Sequence, residues 1–317
     1  MRRRALLGAL LATPALAPAL GQPAMLRLVV PFAPGGSQDV LGRLFAAAVG
    51  PLLGATVVVE NRAGAGGLLG GEAVARAAPD GTTLLLATAG QMTIPAAIGR
   101  HMPYDPLAEL APVLHLVDSP VVLLGAPSLP AADARAALAL ARAASVPLAY
   151  GSTGIGTNTH LIMEELAARE GLRLEHVPYR GATAAFNDLL AGRLALMFVN
   201  VSSVLGFSGQ GLRLLAVAAR TRFAALPQVP TLEEAGVAGF EASIWTGLVA
   251  PAGTPAGTIA RLGDAFRQAM RTPALQDRLV GLGAVENGAD AAAFGAFLRA
   301  DLARWQRVAA PLNIRLD

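Results

Sequence analysis

Between residues 26 and 88 the chain alternates short apolar runs with stretches whose apolar residues recur every three or four positions, and that alternation leaves few folds open. Residues 26–30 read as a strand. Leu41, Leu44, Phe45, Ala48 and Leu52 share one face of a helix that opens on Ser37 or Asp39. Residues 56–60 and 83–88 read as further strands, and the helix between them should end near Pro79. Strand, helix, strand, helix, strand predicts a parallel sheet with helical crossovers. The second half repeats the theme, with strands at 121–124, 148–150, 174–178, 194–198, 212–218 and 244–251 and helices near 131–144 and 158–170. Three further helices, at about 255–270, 273–282 and 291–309, close the chain. If they return to the first unit, the chain crosses between two α/β lobes twice, near Ser119-Pro120 and near 243–246, which is a hinge topology. The expected division is 22–120 with 244–317 as one lobe and 121–243 as the other.

The N-terminus is read separately. Arg2, Arg3 and Arg4 precede an apolar run over 5–20 and a small-residue stretch at 17–22, the pattern of a secretory signal peptide cleaved near Gly21. Pro14 and Pro18 interrupt the run, and it is shorter than the roughly 20 apolar residues a membrane span needs. The paired arginines leave both the general secretory and the twin-arginine routes open. The formal charge of +3 comes entirely from those three arginines, so the mature chain is near neutral. Its basic residues are all arginine and are scattered rather than gathered in a stripe, which argues against nucleic-acid binding. With no cysteine, disulfides, thiolate metal sites and a cysteine nucleophile are excluded.

Two glycine turns carry the functional signal. In V-V-P-F-A-P-G-G-S-Q-D, residues 29–39, a strand runs through Gly35 and Gly36 into a helix whose first N–H groups have no partner within the helix. Such a corner attracts anions. Y-G-S-T-G-I-G-T-N-T-H, residues 150–160, offers Ser152, Thr153, Thr157, Asn158 and Thr159 around three glycines before a second helix, with Thr157 or Asn158 as its N-cap. In open α/β sheets, such turns at the C-terminal ends of strands are where ligands bind. Asp39 should organise its own turn rather than touch an anion, and His160 should pack or hydrogen-bond behind the second turn rather than act as a base.

Other chemistries lack their parts. Gly64, Gly66 and Gly70 give G-x-G-x-x-x-G, one residue off the dinucleotide fingerprint, and the next strand ends in Ala87-Thr88 instead of an acid. Close packing of a helix on the sheet explains those glycines. No serine stands in a G-x-S-x-G elbow and no histidine is at metal-ligand spacing with an acid, so no metal or cofactor is expected. The surviving enzyme alternative is a secreted hydrolase using Ser152 and His160.

Eight collinear segments then resemble one family: P-F-A-P-G-G-S-Q-D at 31–39, V-V-E-N-R-A-G-A-G-G at 58–67, A-A-P-D-G-T-T-L-L-L at 77–86, P-Y-D-P at 103–106, the turn at 150–160, V-P-Y-R-G at 177–181, L-P-Q-V-P-T-L-E-E-A-G at 226–236 and A-P-A-G-T-P at 250–255. They resemble the Bug-type periplasmic substrate-binding receptors of tripartite tricarboxylate transporters. The resemblance implies a periplasmic-binding-protein-like α/β fold, two lobes closing like a Venus flytrap on a small organic carboxylate, and delivery to membrane permease subunits by a monomer. A ligand sensor partnering a membrane signalling protein is a further alternative. Carried onto this chain, the family's site points to Phe32, Ala33, Pro34, Gly35, Gly36, Ser37 and Asp39 on one side. Ser152, Thr153, Gly154, Thr157, Asn158 and His160 lie on the other, with Thr88 and Tyr179 as walls. Where the family commonly has M-F-D-N, this chain has Met197-Phe198-Val199-Asn200, and Arg180 replaces a common lysine. The loss of that carboxylate at Val199 turns the expectation away from amino-acid ligands, toward simple or aromatic carboxylates.

Overall fold

The computed structural model describes residues 24–206, 211, 213–312 and 314; the expected signal peptide lies outside the described residues. In chain order the elements are β1 (Ala24–Val30), α1 (Ser37–Leu53), β2 (Ala55–Asn61), α2 (Leu68–Ala75), β3 (Thr83–Ala87), α3 (Ala89–Met92), α4 (Ile94–Ala97) and β4 (Leu110–Gly125). They continue as α5 (Ala134–Ala143), β5 (Leu148–Ser152), α6 (Asn158–Glu170), β6 (Leu174–Pro178), α7 (Ala182–Leu190), β7 (Leu196–Asn200), α8 (Val201–Gly206) and β8 (Arg213–Val217). The last are β9 (Ser243–Pro251), α9 (Ala256–Met270), α10 (Pro273–Gly281), β10 (Val285–Glu286) and α11 (Ala291–Ala309).

The chain is a mixed α/β protein with one curled sheet in the order β2-β1-β3-β9-β4-β7-β5-β6. β1 pairs in parallel with β2 and β3, as the βαβαβ pattern requires, and β5 pairs in parallel with β6 and β7. β1 alternates its faces, both of them covered towards its end. Leu26, Leu28 and Val30 pack with Leu41, Phe45 and Val49 of α1 and with Phe266 of α9, whereas Val29 faces the opposite layer. Phe45 and Phe266 meet with ring centroids 5.9 Å apart.

β4 departs from the sequence reading, which began a strand at 121. It runs for 16 residues from Leu110, antiparallel to β9 from Leu110↔Pro251 to Pro120↔Ser243, and then exchanges β9 for β7 and β8 over Val121–Gly125. Pro112, His115, Asp118, Ser119 and Pro120 break the apolar run, which hides the strand from a pattern search. Pro120 has no N–H to donate, so the ladder changes partners there. Two short helices, α3 and α4, also escaped the sequence reading. They are tied to the C-terminal helix by Asp301 of α11, which accepts from Thr93 Oγ1 (2.5 Å) and from Trp245 Nε1 of β9 (3.1 Å). Burial pushes the Asp301 carboxyl above its usual range.

At Gly247, in the middle of β9, an added β-carbon would overlap the Phe294 ring at 2.2 Å and approach the Leu114 carbonyl at 3.1 Å. Phe294 is itself wedged against His115 (5.2 Å) and Trp245 (5.6 Å), so neither neighbour has room to yield. Gly247→Ala should therefore lower stability by about 1–3 kcal/mol in urea unfolding. Gly257→Ala, on open space in α9, should be neutral or stabilising.

Candidate functional site

Two uncapped helix starts line one cleft. α1 has Gly36 as N-cap, which has no side chain to offer, and its first internal acceptance is Val40 N–H to the Gly36 carbonyl. The N–H groups of Ser37, Gln38 and Asp39 thus have no acceptor among the described residues. In α6 the N-cap is Thr157, but its hydroxyl donates back to the Gly154 carbonyl (2.8 Å) instead of capping. The N–H groups of Asn158, Thr159 and His160 therefore also have no acceptor among the described residues. Asn158 Nδ2 is buried and also unpartnered. The cleft has a volume of about 470 Å³ and is walled by Phe32, Gly36, Ser37, Gln38, Gly66, Thr88, Gly90, Gln91, Ile94, Pro95, Ile98, Arg100, Thr153, Ile155, Gly156, Thr157, Asn158, Thr159, Ala182, Val199, Asn200, Ser203 and Ile244. Among the described residues no acidic side chain lines it, and its size fits a small ligand.

Of the residues expected from sequence, Phe32, Gly36, Ser37, Thr88, Thr153, Thr157, Asn158, Val199 and Asn200 line this cleft. The others do not, and each has another occupation. Ala33, Pro34 and Gly35 form the exposed crest of the first turn, where Gly35 takes φ +84°, a conformation that side chains disfavour. Asp39 is turned behind that crest. It accepts from Gly35 N–H (2.9 Å), Arg43 Nε (3.0 Å) and Asn61 Nδ2 (2.9 Å), and Asn61 also donates to the Phe32 carbonyl (3.1 Å). Arg43, then the Gly35 N–H, then Asn61 hold the Asp39 carboxyl down at about 2. The aspartate organises its turn and stays ionised.

The second turn is braced by neutral groups. Ser152 is fully buried, and its Oγ lies 2.6 Å from His176 Nε2 while accepting from Gly154 N–H (3.1 Å). The hydrolase alternative paired Ser152 with His160; the serine's partner is His176, and its hydroxyl is shut off from the cleft. His160 accepts from Gly156 N–H at Nδ1 (3.1 Å) and stacks on His176 with centroids 3.8 Å apart. Tyr150 stacks on His176 with centroids 5.0 Å apart and donates its hydroxyl to Glu164. Desolvation lowers both imidazoles to about 4, with the neighbouring His176 adding to the shift at His160. Tyr179 donates to Asp188 (2.7 Å) beside the turn, and Arg180 is exposed outside the cleft. Both were expected nearer the ligand; the hydroxyl of one is taken by Asp188 and the other projects from the loop before α7.

Sequence reasoning missed the wall built by α3, α4 and the residues after them. Thr88 Oγ1 and N–H both meet Gln91 Oε1 (2.8 and 2.9 Å), and Gln91 Nε2 reaches the Gly66 carbonyl (3.2 Å). Residues 64–67 all have positive φ, including Ala65 at +50°, which brings the Gly66 backbone up to the cleft. Gly70 and Gly71 do pack: added β-carbons would sit 2.7 Å from Pro31 Cβ and 1.9 Å from Tyr104 Oη. Gln38, missed although adjacent to Ser37, donates from Nε2 to Thr246 Oγ1 of β9 (3.1 Å).

A larger cavity of about 740 Å³ lies across β9, lined by Ser243 and Trp245 where Ile244 lines the cleft, as alternation along a strand demands. Its arginines are already paired: Arg220 with Glu241 (3.1 Å), Arg222 with Glu234 (2.8 Å) and Arg304 with Glu165 (2.5 Å). The smaller cleft, with its free donors, is the better anion site.

Comparison with known proteins agrees. Residues 41–314 match the profile of the tripartite tricarboxylate transporter family receptor (TctC). The chain is 34% identical to the protein BugT of Bordetella pertussis over 92% of this chain and 90% of BugT. Among solved structures it is similar to the periplasmic binding protein BugD (32% identity, TM-score 0.74, 92% of this chain and 98% of that one). MatC from Rhodopseudomonas palustris with bound malate (30%, 0.73, 90% and 98%) and an R. palustris protein with adipate (30%, 0.77, 92% and 97%) are similar too.

The histidine pair gives a pH prediction. Both rings have folded pKa values below the unfolded value of about 6.5. Between pH 6.5 and 4 the unfolded chain binds more protons, so stability should fall as pH falls through that window, by at most about 1.4 kcal/mol per pH unit for each ring. Urea unfolding at pH 7, 6, 5 and 4 should give a shallower decline in His176→Gln than in the wild type. An equal decline would remove His176 from the account.

Proposed function

The chain belongs to the receptor family of tripartite tricarboxylate transporters, the Bug-type receptors, and on that basis we propose that it is an extracytoplasmic receptor that binds a small organic carboxylate in the cleft and hands it to the membrane subunits of such a transporter. The observation that carries the reading is the buried Asn158 Nδ2, unpartnered among the described residues, beside two uncapped helix N-termini in a cleft that no described acidic side chain lines. Each donor is neutral, so an anion is held by dipoles and hydrogen bonds and no buried cation has to be desolvated to receive it. Relatives carry malate and adipate, which are ligands of this chemistry.

In this reading segments 22–120 with 244–317 and 121–243 are two lobes, and the β4–β9 crossing lets them close on the ligand. The work is binding, not catalysis: Ser152, whose hydroxyl meets His176, is fully buried in the second lobe. Export rests on the N-terminal signal read from sequence, with cleavage near Gly21. Among the described residues no helix is long and apolar enough to cross a membrane, and the compared BugD is a periplasmic protein.

Binding to the folded state raises its apparent stability. Differential scanning fluorimetry against mono-, di- and tricarboxylates should show stabilisation by at least one. Asn158→Ala should weaken that ligand about 10- to 100-fold, the worth of a hydrogen bond to a charged group. A panel with no shift, or an unchanged affinity in Asn158→Ala, would contradict the assignment of this cleft.

A further inference from the structure

Among the described residues Arg100 is the one charged side chain lining the cleft. It follows α4, where its N–H donates to the Pro95 carbonyl (2.9 Å) and Gly99 turns the chain at φ +70°. Its guanidinium lies against the Gly66 backbone, with Nη1 3.3 Å from where a β-carbon on Gly66 would stand. The Gly66 carbonyl is already taken by Gln91 Nε2. No hydrogen bond or ion pair engages the guanidinium among the described residues. Its outer side borders a shallow depression that contains Asp105 and Glu109, and both acids are occupied. Glu109 accepts from Arg76 (2.6 Å) and Asp105 N–H (2.8 Å), and Asp105 Oδ1 accepts from the N–H groups of Leu107 (2.9 Å) and Ala108 (3.1 Å).

A free guanidinium is a two-pronged donor matched to a carboxylate. The neutral donors of α1 and α6 suffice for one carboxylate, and Arg100 comes from a separate element with no bond to either. Between these donors the cleft wall is apolar, with Phe32, Ile94, Ile98, Ile155 and Val199. We propose that Arg100 is the residue that selects ligands with a second carboxylate, so that the cleft prefers a dicarboxylate with an apolar middle over a monocarboxylate of the same length. This deepens the carboxylate-receptor reading above and rests on it. Without Arg100 the second carboxylate would enter a cleft with no counter-charge, and its desolvation would go uncompensated. Because Arg100 is solvent-exposed, its contribution should also be screened by salt.

The test is isothermal titration calorimetry on the mature protein with succinate, glutarate and adipate, each against its monocarboxylate of equal length: butyrate, pentanoate and hexanoate. The wild type should prefer the dicarboxylate in at least one pair, and the preference should shrink as salt rises. Arg100→Gln should cut that preference about tenfold, and Arg100→Lys should restore part of it by keeping the charge without the fork. Circular dichroism and thermal unfolding would verify that each variant is folded. An unchanged preference in Arg100→Gln overturns the inference. So does an equal loss for both members of a pair, which would place Arg100 on the first carboxylate. If the wild type binds monocarboxylates as tightly as dicarboxylates, the inference fails alone. If it binds neither class, the carboxylate reading fails and the inference falls with it.

Discussion

The antiparallel pairing of β4 with β9 is the constraint on which the rest of the structure depends. β4 is the strand that pairs in both parts of the sheet, with β9 up to Pro120 and with β7 and β8 beyond it. A proline at the switch removes one donor, and the ladder can change partners there without leaving a buried N–H unpaired. The same crossing separates the cleft from the larger cavity behind it. Ile244 faces the cleft and Gln38 reaches over it to Thr246, while Ser243 and Trp245 face the cavity behind. One strand thus serves as floor to both, and Trp245 anchors it to α11 through Asp301.

Two turns of similar shape are held by opposite chemistries. The first is fastened by an ionised aspartate with an arginine and an asparagine behind it. The second is fastened by a serine and two imidazoles kept neutral by burial. Neither solution aims a charge at the cleft. An anion approaching either turn therefore meets oriented N–H groups and not the charged fastening behind them.

Much of this was legible in the sequence where local pattern and structure coincide. The bounds of α6, β6 and α11 follow from helical spacing, caps and the apolar run, and α1 begins at Ser37 as its glycine turn implies. Asp39 and His160 were named as site residues by resemblance but, from the habits of small polar caps and first-turn histidines, also as groups behind their turns; they stand behind the turns and outside the cleft lining. What escaped was set by tertiary contacts. α3 and α4 are single turns with no period to detect, so Gln91, Ile94 and Arg100 carried no signal, although they form a wall of the cleft. Ser152 was visible as a hydroxyl in a glycine turn, but only the β5–β6 register, which sets Tyr150 opposite His176, brings His176 within reach of it. Tyr179 and Arg180 were placed by analogy of position, and position along a loop does not fix direction.

The run of positive φ from residue 64 to 67 and the bare helix starts at Gly36 and Thr157 divide the cleft into two kinds of heritable material. In the proposed reading, grip on an anion resides largely in main-chain N–H groups, which nearly every amino acid shares, with the Asn158 amide beside them, so outside Asn158 a point mutation can weaken it chiefly by breaking the turn that presents it. Discrimination, in the same reading, resides in side chains such as Arg100 and Val199, which line the cleft outside both turns. A gene of this design can drift or duplicate toward a new nutrient by exchanging a few wall residues while its general appetite for carboxylates is carried over intact.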